Sequence, residues 1–168
     1  PTLILAGRGL PAAPGAEAPG GVAVVLDEPG MPVRGAGSSA TVVGRILQGA
    51  GLQVRPFSAR QLADPKRLDP AAVDLVLLPG GQSFPVEARE SLVRFLRGGG
   101  ALITLGGYAF ENLLREHEGQ WYDQAAYEKL NPNNAAEAAR LFRPMNTARG
   151  TPKNELKLEP EQIGMFDA

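Results

Sequence analysis

Three short, nearly unbroken apolar runs do most to limit the folds open to this chain: Val22-Ala23-Val24-Val25-Leu26, Asp74-Leu75-Val76-Leu77-Leu78 and Ala101-Leu102-Ile103-Thr104-Leu105. A strand with one wet face alternates apolar and polar residues, whereas a strand covered on both faces does not. Each run is followed by a glycine-rich loop and then by a helical pattern. Strands separated by helices pair in parallel through right-handed crossovers. The expected fold is therefore α/β: a three-layer sandwich with a mostly parallel, flavodoxin-like sheet and an irregular C-terminal tail. Leu52 to Phe57 alternates instead, which places it toward a sheet edge.

The intervening helices have readable ends. Ser38 or Ser39 is placed to cap a helix from about Ala40 to Ala50, with Val42, Val43, Ile46 and Leu47 on one face and Gly51 past its end. Ser58 is placed to cap a short helix reaching Ala63. Pro85 suits a first helical turn, and Gly98-Gly99-Gly100 closes that helix. Gly106-Gly107 is expected to turn the last run into a helix starting near Tyr108 and carrying Phe110, Leu113 and Leu114.

Three regions follow from texture. Residues 1–20 read as a strand plus a Pro/Ala/Gly-rich linker from a preceding region, residues 21–116 as the α/β domain, and residues 117–168 as the tail. Only Ala135 to Phe142 looks helical in that tail. Its few aliphatic residues imply little buried area, so it is expected to be the least protected part, packing on the domain or on a partner. Because the chain begins at Pro1, it is expected to be processed or cut from something longer.

Charge and cysteine content narrow the function classes. Seventeen basic residues face 18 acidic ones, which gives no reason to expect nucleic acid or an anionic membrane as partner. No apolar run approaches the roughly 20 residues of a membrane span. With no cysteine, disulfides, thiolate metal sites and cysteine nucleophiles are excluded, and the cellular compartment stays open.

Leu77-Leu78-Pro79-Gly80-Gly81 and Ala101-Leu102-Ile103-Thr104-Leu105-Gly106-Gly107-Tyr108-Ala109-Phe110 resemble the class I glutamine amidotransferase-like superfamily. In that family one strand ends in a Pro-Gly-Gly loop, and a later strand ends in Gly-x-Cys-x-Gly, the nucleophile elbow. The resemblance covers Val22 to Leu114 and implies a flavodoxin-like fold. Tyr108 stands where the cysteine would be. A phenol ionises near pH 10 and is bulkier than a thiol, so glutaminase chemistry is not expected. The family's late His-x-Glu pair has no match, because the one histidine, His117, lies just beyond the elbow region. The resemblance thus implies a non-catalytic domain of a larger, carbohydrate-active protein, with a structural or interaction role and with other domains or copies of itself as partners.

The alternative is a domain that binds, or hydrolyses, a sugar, a nucleotide or another small molecule in the crevice at the strands' carboxyl ends. Its candidate lining is Asp27, Glu28, Gly80, Gly81, Gly107 and Tyr108. The two acidic residues suit sugar hydroxyls or a cation, and the Gly80-Gly81 amides suit an oxyanion. The same glycines also serve as a plain turn, and Tyr108 serves equally as a packing residue. Gly35-Ala36-Gly37-Ser38-Ser39 at a helix start resembles a phosphate cradle but has no P-loop lysine, which also weakens a flavin- or nucleotide-binding reading. Glu116, His117 and Glu118 do not converge on one helical face, so no metal site is expected from them. Trp121, Tyr122 and Tyr127 suit sugar stacking or anchoring of the tail. No catalytic residue and no cofactor is assigned.

Overall fold

The structure, a computed structural model, describes residues 3–4 (backbone alone), 20–34 and 37–145. Its main sheet has five strands: β1 (Leu3–Ile4), β2 (Val22–Leu26), β3 (Gln53–Phe57), β4 (Leu75–Leu78) and β6 (Ala101–Thr104). Across the sheet they run β1-β6-β4-β2-β3, with every pair parallel except β1 against β6. The three apolar runs are interior strands, as their composition requires. The alternating β3 is an edge, where Pro56, with no N–H to give, is tolerated. Leu3–Ile4 belongs to this same sheet, and the linker after it lies outside the described residues.

Helices cover both faces, which makes three layers. Helix α1 (Ala40–Gly49) packs on Val25, Leu77 and Val54 through Val43 and Leu47. Helices α2 (Ala59–Ala63) and α3 (Arg89–Arg97) cover the opposite face, over Val24, Leu26, Val76, Leu78 and Leu102. Ser58 closes a capping box on α2 with Gln61. Ser39 occupies the cap position of α1 but makes no side-chain cap bond. The α1 stripe is narrower than expected: Val43 is buried, while Val42 and Ile46 are 53% and 65% exposed. Neighbouring positions on a helix diverge by about 100°, so Val42 and Ile46 flank the contact instead of making it.

The expected helix after Tyr108 does not form. Asn112–His117 is instead strand β7, parallel to a short strand β5 (Ser83–Pro85) that precedes α3. Pro85 thus closes a strand and leads, through a 3-10 turn at Val86–Ala88, into α3. Tertiary contacts override the helical pattern here. The Asn112 side-chain amide donates to Ser83 Oγ at 3.0 Å, and Phe110 takes φ +62°, which breaks the helical path. Its ring meets Phe84 edge-on at 5.0 Å between centroids.

Strand β7 turns back into β8 (Gln120–Tyr122) through Glu118-Gly119, both at positive φ, as a two-residue hairpin turn requires. Helix α4 (Gln124–Leu130) follows, capped by Asp123 accepting from the Ala126 N–H at 2.9 Å. Helix α5 (Ala135–Leu141) lies where the sequence places it. Tyr127, Ala138 and Phe142 are buried in the main core cluster, so the tail as far as Met145 packs on the domain rather than trailing from it. Residues 146–168 lie outside the described part.

Candidate functional site

Strands β2, β4 and β6 end together at one carboxyl edge. From β2 the chain leaves through α1 on one face. From β4 it leaves through α3 on the other. The gap between β2 and β4 is therefore the switch point at which open α/β sheets bind ligands.

In this chain the gap is largely filled by its own loops. Ser38 N–H donates to Pro79 O at 3.0 Å, which fastens the loop after β2 to the loop after β4. Val33 lies over Gly80, where a Cβ would meet its Cγ1 at 2.9 Å. Gly81 N–H donates to Leu105 O, Phe110 N–H to Gly81 O and Asn112 N–H to Gln82 O, each at 2.8 Å. The loops after β4 and β6 are thereby laced together. A Cβ on Gly81 would sit 2.7 Å from Thr104 Cβ, so glycine is needed here for close approach. At Gly107 the space of a side chain is taken by the Gln82 amide.

Of the six residues expected to line this crevice, Gly80, Gly81, Gly107 and Tyr108 come together on these two laced loops. Tyr108 is 75% exposed, so its ring does not pack into the crevice; half-exposed Val33 lies against Gly80, and the Gln82 side chain takes the space beside Gly107. Asp27 is exposed at the end of β2 and lines a separate hollow of about 270 Å³ between α1 and β3. Glu28 is committed elsewhere: its carboxylate accepts from the Ala59 N–H at 2.7 Å, at the start of α2. Gly35 and Ala36 of the phosphate-cradle candidate lie outside the described residues.

Gln82 is the residue that sequence reasoning passed over. Its Oε1 is buried with no hydrogen-bond partner among the described residues, an acceptor that ordinarily finds a donor. Only its position directly after Pro79-Gly80-Gly81 pointed to it.

A second concave region lies beside the β7–β8 hairpin. Trp121, Glu116, Glu87, Arg60 and Asp64 line a hollow of about 390 Å³. Arg60 Nε pairs with Glu116 Oε2 at 3.5 Å, and Arg115 Nε with Glu87 Oε1 at 3.6 Å. Partial burial pushes the Glu87 carboxyl above its ordinary value, while a hydrogen bond from its own backbone and the charge of Arg115 offset this in part and Glu116 adds to it. Arg115 also lies 4.8 Å from the Tyr127 ring centroid and reaches Glu137 at 3.4 Å. His117 is exposed at the end of β7, its ring edge-on to Tyr122 and Tyr127. Among the described residues no three His, Cys, Asp or Glu side chains are placed to hold a metal ion, and no helix is long and apolar enough to cross a membrane.

Compared with protein-family models, with curated proteins and with solved structures, the chain matches none.

Proposed function

We propose that this chain is a non-catalytic, amidotransferase-like domain with a structural or interaction role in a larger, carbohydrate-active protein. One observation carries the reading: the carboxyl-edge loops are laced to each other by backbone hydrogen bonds at the place where a nucleophile elbow would stand open. An elbow holds its nucleophile between a strand and a helix, whose first amides form the oxyanion hole. Here Gly106-Gly107-Tyr108 leads to the strand Asn112–His117, and the chain has no cysteine. The exposed aliphatic ridge of α1, Val42 and Ile46, is the surface such a domain would offer to a neighbour.

Incubation with glutamine tests the first half of the reading. Ammonia is expected at the level of the protein-free blank. Ammonia release that disappears in Tyr108→Phe overturns it. Sedimentation velocity tests the second half: self-association is expected to weaken in Ile46→Glu, and a monomer at every concentration in both proteins removes the ridge as a self-contact.

The Trp121 hollow favours a second reading, a sugar-binding domain. An indole face beside three carboxylates and a guanidinium suits a pyranose, with its apolar face and ring of hydroxyls. Trp121 is the only tryptophan, so its emission reports on this hollow alone. A saturable emission change with oligosaccharide, abolished by Glu116→Gln, is expected on this reading. Unchanged emission across neutral, acidic and amino sugars removes it.

A further inference from the structure

A different face carries an unexplained concentration of positive charge. The groove between α3 and the end of α5 has a volume of about 830 Å³ and is lined by Arg89, Arg94, Arg97, Arg140 and Arg143. Two glutamates, Glu87 and Glu90, are the acidic lining, and Glu87 is turned to Arg115. Among the described residues, none of the five arginines makes an ion pair within 4.0 Å. The chain as a whole carries a net charge of -1, so this face departs from its surroundings.

Helix dipoles account for part of the cluster. Arg94 and Arg97 lie in the last turn of α3 and Arg140 in that of α5, where cations are favoured. They do not account for Arg89 or Arg143. Arg89 is the first residue of α3, at the end where a cation is disfavoured. Its Nη2 donates to Arg143 O, while its Nε is buried with no hydrogen-bond partner among the described residues. Burial, and then the charge of Arg143, depress the pKa of this guanidinium, with Glu90 acting against them. Three unfavourable circumstances thus meet at one side chain: a helix start, a like charge and an orphaned N–H. An anion in the groove offsets the first two, the helix start and the like charge.

We infer that this groove is a binding site for a small molecule bearing two or more phosphoryl groups. A guanidinium fork pairs with two oxygens at once, so five of them far exceed the acceptors of one carboxylate or one phosphate. A di- or triphosphate supplies enough oxygens. The groove volume falls in the range of small-molecule sites, and Val86, Val93 and Leu141 give it an apolar floor for the rest of the ligand.

The test uses the full chain and titrates pyrophosphate and tripolyphosphate by calorimetry and thermal melting, against sodium chloride of equal ionic strength. Saturable binding and a raised Tm are expected with the polyphosphates and absent with chloride. Arg97→Gln and Arg140→Gln remove exposed side chains and leave folding intact, and each is expected to weaken binding about tenfold. Arg89→Lys keeps the charge but loses the fork, and is expected to weaken pyrophosphate more than chloride-screened background. No saturable response overturns the inference, as does binding that is unchanged in Arg97→Gln and Arg140→Gln. A glutamate-rich peptide that binds more tightly than tripolyphosphate at equal charge also overturns it, because it assigns the groove to an acidic polypeptide. None of these outcomes bears on the glutamine assay.

Discussion

Adjacent glycines of one Pro-Gly-Gly turn answer to different constraints. A Cβ on Gly81 would collide with the Cβ of buried Thr104, close to the backbone, whereas one on Gly80 would meet the tip of half-exposed Val33. Gly81→Ala should therefore cost about 1–3 kcal/mol, and Gly80→Ala less than about 1 kcal/mol, because only the Val33 side chain is free to give way. Urea unfolding of both variants checks the order, and equal costs would contradict the close approach of Gly81 to Thr104. Tyr108 makes the opposite case. At 75% exposure its ring contributes little to the core, so Tyr108→Ala should change stability by no more than about 0.5 kcal/mol. A loss of several kcal/mol in thermal melting would place the ring inside the edge after all.

At the scale of elements, the β5–β7 pair and the helices after it carry more of the fold than their composition suggests. Tyr127 of α4 is 5% exposed, packs on Phe142 and lies under Arg115. Truncation by Tyr127→Ala should cost about 3 kcal/mol or more, as for other buried aromatics. It should also lower the midpoint of one cooperative transition rather than release a separate segment. Hydrogen exchange checks the same point: amides of α4 should be protected to a similar degree as those of β6. Exchange at the rate of a frayed terminus would instead support the weak tail that its composition implies.

For the molecule as a whole, a pH dependence follows from the raised Glu87 carboxyl. A carboxyl whose pKa is higher in the folded state binds its proton more tightly there than in the unfolded chain. Its contribution to stability is fully present below the ordinary carboxylate range and is lost as pH rises through the raised value. Glu87→Gln removes this titration. Urea unfolding from acid to neutral pH should show a shallower decline for Glu87→Gln than for the original chain across that window. Parallel curves would mean that Arg115, 3.6 Å away, already holds the carboxylate charged in the acid range.

Strand identity, parallel pairing and the edge position of β3 were legible in the sequence, because burial on one face or two writes directly into the spacing of apolar residues. The Ser58 cap and the α5 helix were legible for the same local reason. The path after Gly107 was not. Asn112-Leu113-Leu114 becomes a strand only because Ser83-Phe84-Pro85, far away in sequence, offers it a ladder and Phe84 offers a partner for Phe110. The contents of the carboxyl edge were hidden likewise. Glycine-rich loops implied an open crevice, yet Val33 lies against Gly80 and Gln82 takes the space beside Gly107, both from outside the motifs. The arginine groove was also invisible, since its charges are scattered from Arg89 to Arg143 in a chain of nearly zero net charge. Local pattern determined the strands of the main sheet and the helices that flank it; only tertiary pairing made strands of Ser83–Pro85 and Asn112–His117, and only the way helices and loops come together in space decided which side chains meet.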